Sequence, residues 1–537
     1  MTEMSLRGIK TGLWLLIFLL PLALRTAPSP PRQHPLSRET EALGLVIVLM
    51  IAIALRVVNL LTEPLFFLQD ETLFAYTQDW RPEHGELFGY SLIQHWPWGW
   101  WPEVFGFGPG SLPNFLFLIH WLPLKVEFSF RALRMGTAIT GVAAVLMVWI
   151  WVRRWWDNQM ALLAALFLAI QLEHVYWSRV ALPNIDAPLH GAAVLWALAW
   201  ALETQSQRAW AVLGTLLGLT FYLYMGTKLN LVAAGVVLAG LWLTRLATVP
   251  LRRVALMACF CGLVMAPALW AIHQDSQRWY LDHAGRLDWR ILNALAQGNG
   301  TEVLRLGREA WETSVGYFLD QPQLVNLIWV GIAMALWRIR DRRYFTVLIW
   351  LAVTFGVASI AIGWRNARLI NIQPAFAVLA ALGVDQLLRW PRTKLVALGI
   401  LVVVTVEAWT GQFAWRANRW RNATAELCTF IWTLPLPATL YTLGTGMIPD
   451  ISSRCIIRPG EVQIVPVESV EQVQLTAHSA AIIFVDREEA AQQLLPHAVL
   501  TPHYNDDRFA FYSAIGKPWA TVKGWNEQRS SKRPWWW

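Results

Sequence analysis

The chain is 537 residues long, 56% hydrophobic and only 15% charged, with a mean hydropathy of +0.39. A soluble chain carries about 25% charged residues, so much of this surface faces lipid; disorder, a collagen-like fibre and a disulfide scaffold are excluded by the same composition, the last because it holds 4 Cys. The net charge of +8 carries no nucleic-acid signal here, because membrane proteins gather Lys and Arg on their cytoplasmic side.

Residues 11–24, TGLWLLIFLLPLAL, are apolar but short and interrupted by Pro21, which suits a helix lying on the inner leaflet better than a span. Apolar runs of spanning length then follow at about 43–61, 131–152, 159–177, 186–203, 208–224, 229–246, 252–271, 324–339, 344–362, 369–388 and 394–411. The runs are continuous rather than alternating, so the expected fold is an all-α polytopic bundle of about eleven helices, not a β-barrel.

Charge fixes the expected orientation. With the first helix entering from the cytoplasm, the inner turns hold thirteen Lys and Arg, among them Arg153, Arg154, Arg245, Arg252, Arg253, Arg340 and Arg343. The short outer turns hold four: Arg179, Lys228, Arg365 and Arg368. That imbalance places the loops at 62–130 and 272–323 and everything after 411 outside, in a multi-pass protein of the plasma (inner) membrane.

The first outer loop carries two amphipathic stretches, ETLFAYTQDW and NFLFLIHWLPL, with HWPWGWWPEVFGFGPGSLPN between them. Trp96, Trp98, Trp100 and Trp101 suit interfacial anchoring or stacking of sugar rings; composition does not choose. GFGPG has no strand before it and is a turn, not a nucleotide fingerprint. Beyond 411, ATLYTLG, EVQIVPV, AAIIFVD and FAFYSAIG read as short strands, with REEAAQQLL as a helix. A small extracytoplasmic α/β domain is expected over 412–537, after an N-terminal segment (1–42) and a transmembrane domain (43–411). Cys428 and Cys455 lie in it, and the sequence fits both a disulfide between them and two free thiols.

The chemistry-bearing residues gather at the outer boundary. Asp70 and Glu71 follow the first span directly, and paired, partly desolvated carboxylates suit a proton acceptor; a solvated loop is the competing reading. Arg179 and Asp186 flank the third-to-fourth junction, WSRVALPNIDAPLH, where Asp186 can also cap the fourth helix. Lys228, Arg365 and Arg368 sit where the positive-inside rule depletes cations, which suits ion pairing to the acids or holding an anionic headgroup. Asp186 and His190, at i and i+4, are metal-compatible in spacing, with His84 and His95 as further donors; capping plus a packed histidine is the competing reading. No P-loop, zinc CxxC pair or GxSxG is present.

This constellation suits transfer of a sugar from a polyprenyl phosphate. The leaving phosphate is already a stable anion, so the reaction needs a base and cations but no general acid. In the Asp70–Glu71 pair, FRALRMGTAITGVAAVLMVWIWVRRWW, HVYWSRVALPNIDAP and RLINIQPAFAVLAALG, the chain resembles the GT-C membrane glycosyltransferases, in particular bacterial relatives of the protein O-mannosyltransferases and the lipid A aminoarabinose transferase. The resemblance implies Asp70 as base, Glu71 as its aid and Asp186 as a second acidic site residue, with a polyprenyl-phosphate-linked sugar as donor, a protein, lipid or glycan as acceptor, and a divalent metal in some members only. The loop at 272–323 is too short for the β-trefoil domain of eukaryotic protein mannosyltransferases. A transporter or flippase is the alternative function, disfavoured because its charges would sit near the midplane.

Overall fold

The computed structural model describes residues 36–60, 130–274, 289–319, 325–359, 369–388 and 393–418, and five strands between 438 and 516. A helix stands at each of the eleven expected spans: α1 (Arg38–Val57), α2 (Phe130–Trp155), α3 (Asn158–Ile170) continued by the short α4 (Leu172–Trp177), α5 (Asp186–Thr204), α6 (Gln207–Leu219), α7 (Lys228–Leu243), α8 (Leu251–Gln274), α11 (Val325–Trp337), α12 (Arg342–Ser359), α13 (Gln373–Leu388) and α14 (Lys394–Asn418). Between α8 and α11 lie α9 (Trp289–Ala296) and α10 (Gly300–Leu319), inside the second long loop. Among the described residues, three helices are long and apolar enough to cross a membrane by themselves, Arg38–Val57, Arg134–Trp155 and Ile370–Leu388. The expected interfacial helix at 11–24 lies outside the described residues.

Local chemistry sets the helix starts. Ser37, Asp157 and Ser206 each accept a hydrogen bond from the amide three residues on, at 3.1, 2.9 and 3.2 Å, capping α1, α3 and α6. The third span is not one helix as expected. Gln171 takes an extended conformation (φ −66, ψ 119) and splits α3 from α4. The run QLEH around it holds three polar residues that apolar counting absorbs into a single span.

Within the helical unit α13 is the axis: 94% of its spanning window is buried, against 28% for α1. It packs on α3, α11 and α5, through Ala and other small residues such as Ala161, Ala164, Ala165, Ala377 and Ala380. Small side chains let backbones approach, which in lipid replaces the hydrophobic drive. Outward, α1, α8 and α14 expose Leu43, Val46, Met50, Leu263, Val402 and Val406, surface that only hydrocarbon solvates without penalty. On α8 Cys261 is buried and Cys259 is exposed.

The closest approach gives a test. A Cβ built on Gly331 of α11 would lie 1.9 Å from the carbonyl oxygen of Leu379 in α13, a backbone atom that cannot rotate away. Gly331→Ala is therefore expected to cost about 1–3 kcal/mol or more through overpacking, read as a lower thermal aggregation temperature of the solubilised chain. Gly356→Ala, where a Cβ meets nothing within 4 Å, serves as control.

A second unit holds the strands: β1 (Ala438–Leu443), β2 (Val462–Val467), β3 (Ala481–Val485), β4 (Ala498–Asn505) and β5 (Ala510–Gly516). They form one mixed sheet in the order β2-β1-β3-β5-β4, parallel across β2, β1 and β3 and antiparallel across β3, β5 and β4. Four strands match the expected ones; β4 is additional. Its Pro502 argues against a central strand, and β4 is an edge strand whose register slips between Pro502 and Tyr504. Pro466 sits in the other edge strand, β2, for the same reason. The expected helix at REEAAQQLL and both Cys428 and Cys455 lie outside the described residues.

Candidate active site

Three helices, α5, α7 and α13, begin at one end of the helical unit, each after a 3₁₀ turn: Pro183–Ile185, Met225–Thr227 and Ile370–Ile372. The turns before α7 and α13 both pack on α5. Thr227 Oγ1 donates to the carbonyls of Thr220 and Tyr224 at 2.9 and 2.7 Å, fixing the turn that delivers Lys228. The Gly226 carbonyl of that turn receives Asn371 Nδ2 at 3.4 Å. Three helix starts, with the positive ends of their dipoles, thus gather at the end that charge counting assigns to the outside, a setting favourable to an anion.

Asp186 is the first residue of α5 and 3% exposed. It makes no capping bond, contrary to the simplest expectation for it. Its Oδ1 is buried with no hydrogen-bond partner, and no ion pair joins it to Arg179 or Lys228. A buried carboxylate oxygen without a partner demands an explanation, and a bound ligand supplies one. Lys228, half-buried at the start of α7, holds its Nζ 5.7 Å from the centre of the Phe221 ring.

His190 is not available to a metal. Its Nδ1 accepts from Asn230 Nδ2 at 2.8 Å, which leaves the hydrogen on Nε2, and Nε2 donates to the Leu216 carbonyl at 2.7 Å. Both ring nitrogens are spent on the protein, so the Asp186–His190 metal pair is corrected to a structural histidine beside a free acid; among the described residues no group of three or more His, Cys, Asp or Glu could hold a metal. The chain of bonds continues from Asn371 Nδ2 to Asn230 Oδ1 at 2.6 Å, tying α5, α6, α7 and α13 together below the three helix starts. Gly191 makes room for it, since a Cβ there would sit 3.2 Å from Asn371 Oδ1.

Arg179 is 1% exposed. Its two terminal nitrogens donate to the carbonyls of Leu55 and Val58, both at 2.8 Å, so it closes the C-terminus of α1. Next to it Arg56 is wholly buried and donates to the Ala169 carbonyl at 3.0 Å, the Leu168 carbonyl at 3.4 Å, Ser178 Oγ at 3.2 Å and His174 Nδ1 at 2.7 Å. The negative end of the α3 dipole stabilises this cation where no carboxylate does. Together the two arginines pin the end of α1, from which the chain leaves for Asp70 and Glu71. Sequence reasoning overlooked Arg56, Asn230 and Asn371, although each is a polar residue inside an apolar run, an expensive placement that signals a role. Asp70, Glu71, His84, His95, Trp96, Trp98, Trp100, Trp101, Arg365 and Arg368 lie outside the described residues.

Residues 112–270 match the family described as dolichyl-phosphate-mannose-protein mannosyltransferase. No curated protein matches the chain in sequence. In fold, the chain is similar to ArnT from Cupriavidus metallidurans bound to undecaprenyl phosphate, at 13% identity and a TM-score of 0.51, over 88% of this chain and 97% of that one. It is similar also to the Archaeoglobus fulgidus oligosaccharyltransferase tethered with an acceptor peptide, at 14% identity and 0.51, over 90% and 74%. The same archaeal enzyme, AglB, in complex with an inhibitory peptide and a dolichol-phosphate, matches at 14% and 0.50, over 78% and 64%. The resemblance to GT-C membrane glycosyltransferases therefore holds, in sequence over the matched segment and in fold over most of the chain.

Proposed function

We propose that this chain, carrying the GT-C glycosyltransferase fold, moves a sugar from a polyprenyl-phosphate donor to an acceptor at the extracytoplasmic face of the inner membrane. The observation that carries this reading is the meeting of three helix starts around Lys228 and the unpartnered Asp186 carboxylate. The undecaprenyl phosphate and dolichol-phosphate named with the similar structures support a lipid-phosphate donor.

In this reading Asp70 takes the proton of the acceptor nucleophile as it attacks the anomeric carbon, and Glu71 orients it. The bond to the lipid phosphate breaks, and the phosphate departs as an anion held by Lys228, Arg365 and Arg368 near the positive ends of the helix dipoles. Asp186 hydrogen-bonds the sugar or acceptor. Arg179, with two donors committed to α1, moves from the phosphate group to a holding role. The tryptophans from Trp96 to Trp101 stack on the sugar. Of the two described metal candidates, Asp186 and His190, Asp186 keeps an unspent donor atom. The acceptor is a protein, lipid or glycan.

The test is purified chain in liposomes with a panel of polyprenyl-phosphate sugars. Consumption of one donor with release of polyprenyl phosphate is expected; movement of intact donor between leaflets without cleavage would establish the flippase instead. Lys228→Met should raise the KM for that donor by about tenfold, the loss of roughly one charge-assisted contact, with kcat changed less. An unaltered KM returns Lys228 to the packing of its helix start.

A further inference from the structure

We infer that the opposite end of α7 holds a second lipid site, one for the phosphate headgroup of an anionic glycerophospholipid, built around Arg245. An open cavity of about 570 Å³ lies there, lined by Trp242, Leu243, Arg245, Ala247, Thr248 and Val249. Among the described residues, no acidic side chain lines it.

The backbone at Arg245 is the first argument. α7 ends in a two-bond closing turn: the amide of Leu246 donates to Leu241 at 3.1 Å and that of Arg245 to Trp242 at 3.2 Å. This arrangement puts the residue after the cap into the left-handed region, and Arg245 has φ +56. Glycine is the ordinary occupant, because a Cβ is strained there. An arginine kept at a position that glycine fits better points to a use for its guanidinium.

Charge is the second argument. Three cations on this side are paired, Arg154 with Glu203 at 2.8 Å, Arg153 with Glu41, and Arg343 with Asp341. Among the described residues, Arg245, Arg252 and Arg253 make no ion pair or side-chain hydrogen bond, and Arg252 and Arg253 follow the cavity-lining Val249 within four residues. The turn is also held in place, since Gln205 Nε2, from the α5–α6 turn, donates to the Thr248 carbonyl at 3.0 Å.

Surroundings are the third. Trp242, Leu243 and Leu251 are 55%, 70% and 75% exposed, an apolar and aromatic border that sits at the headgroup level of a bilayer. A guanidinium fork beside such a border matches a phosphodiester whose acyl chains run along the bundle. A free anion would have no use for the apolar border.

Native mass spectrometry of the detergent-purified full chain, titrated with phosphatidylglycerol or phosphatidylcholine, tests this. Arg245→Gly and Arg245→Gln should each retain about fivefold less phosphatidylglycerol, the weight of one basic side chain near an anionic headgroup, with phosphatidylcholine unchanged. Arg245→Gly should at the same time melt no lower than the parent, because glycine relieves the left-handed strain. Arg340→Gln, an exposed cation away from the cavity, should retain lipid as the parent does. Parental retention in both Arg245 variants, or an equal loss in Arg340→Gln, overturns the site. The outcome is independent of sugar transfer.

Discussion

Asp70→Asn is expected to lower sugar transfer by about 10²–10⁴-fold, the usual weight of a general base, while the chain still inserts and binds donor. Asparagine keeps the shape of the side chain but cannot take a proton from the acceptor. Because the departing lipid phosphate needs no protonation, the base is the only proton-transfer group in the proposed reaction, and nothing else in it compensates for the loss. Single-turnover transfer with saturating donor is the measurement. It separates chemistry from binding, so a normal rate in this variant would remove Asp70 as the base even if the chain proves to be a glycosyltransferase. The corresponding change at Asp186 should act on both parameters, since in the proposed reaction its buried, unpartnered oxygen hydrogen-bonds the sugar or acceptor.

What the amino-acid pattern disclosed follows from the range of the forces involved. Helix positions were legible because a span is announced by one contiguous apolar run, and a helix stands at all eleven places. The break at Gln171 was not, since a single extended residue leaves the hydropathy of its window almost unchanged. The edge strand β4 was hidden by Pro502, whose meaning depends on whether the strand has one neighbour or two. His190 shows the same limit within the site. Its i, i+4 relation to Asp186 is local and suggested a metal, yet its partners come from Leu216 and Asn230, 26 and 40 residues away. Arg179 likewise looked like a ligand for phosphate from its charge and topology, and only the fold brings the carbonyls of α1 to it.

The same long-range logic makes Arg56 a sensitive structural position. Arg56→Met keeps much of the side chain's length but removes every donor, leaving the Ala169 carbonyl, the Leu168 carbonyl and His174 Nδ1 without the partner that now serves them. Each buried polar group so stripped costs about 1–3 kcal/mol, so a total loss of about 3 kcal/mol or more is expected, seen as a sharply lower aggregation temperature and reduced yield. Arg56→Lys retains the charge but has a single nitrogen to reach acceptors spread over α3, α4 and the following turn, and should recover only part of the loss. Transfer by the surviving folded fraction is the informative readout. If the arginine pair holds the end of α1 for the sake of Asp70, that fraction should show a depressed kcat with donor KM near normal, because the proposed base is displaced while Lys228, the proposed phosphate contact on α7, stays in place. A folded Arg56→Lys chain with normal kcat would confine Arg56 to stabilising the bundle.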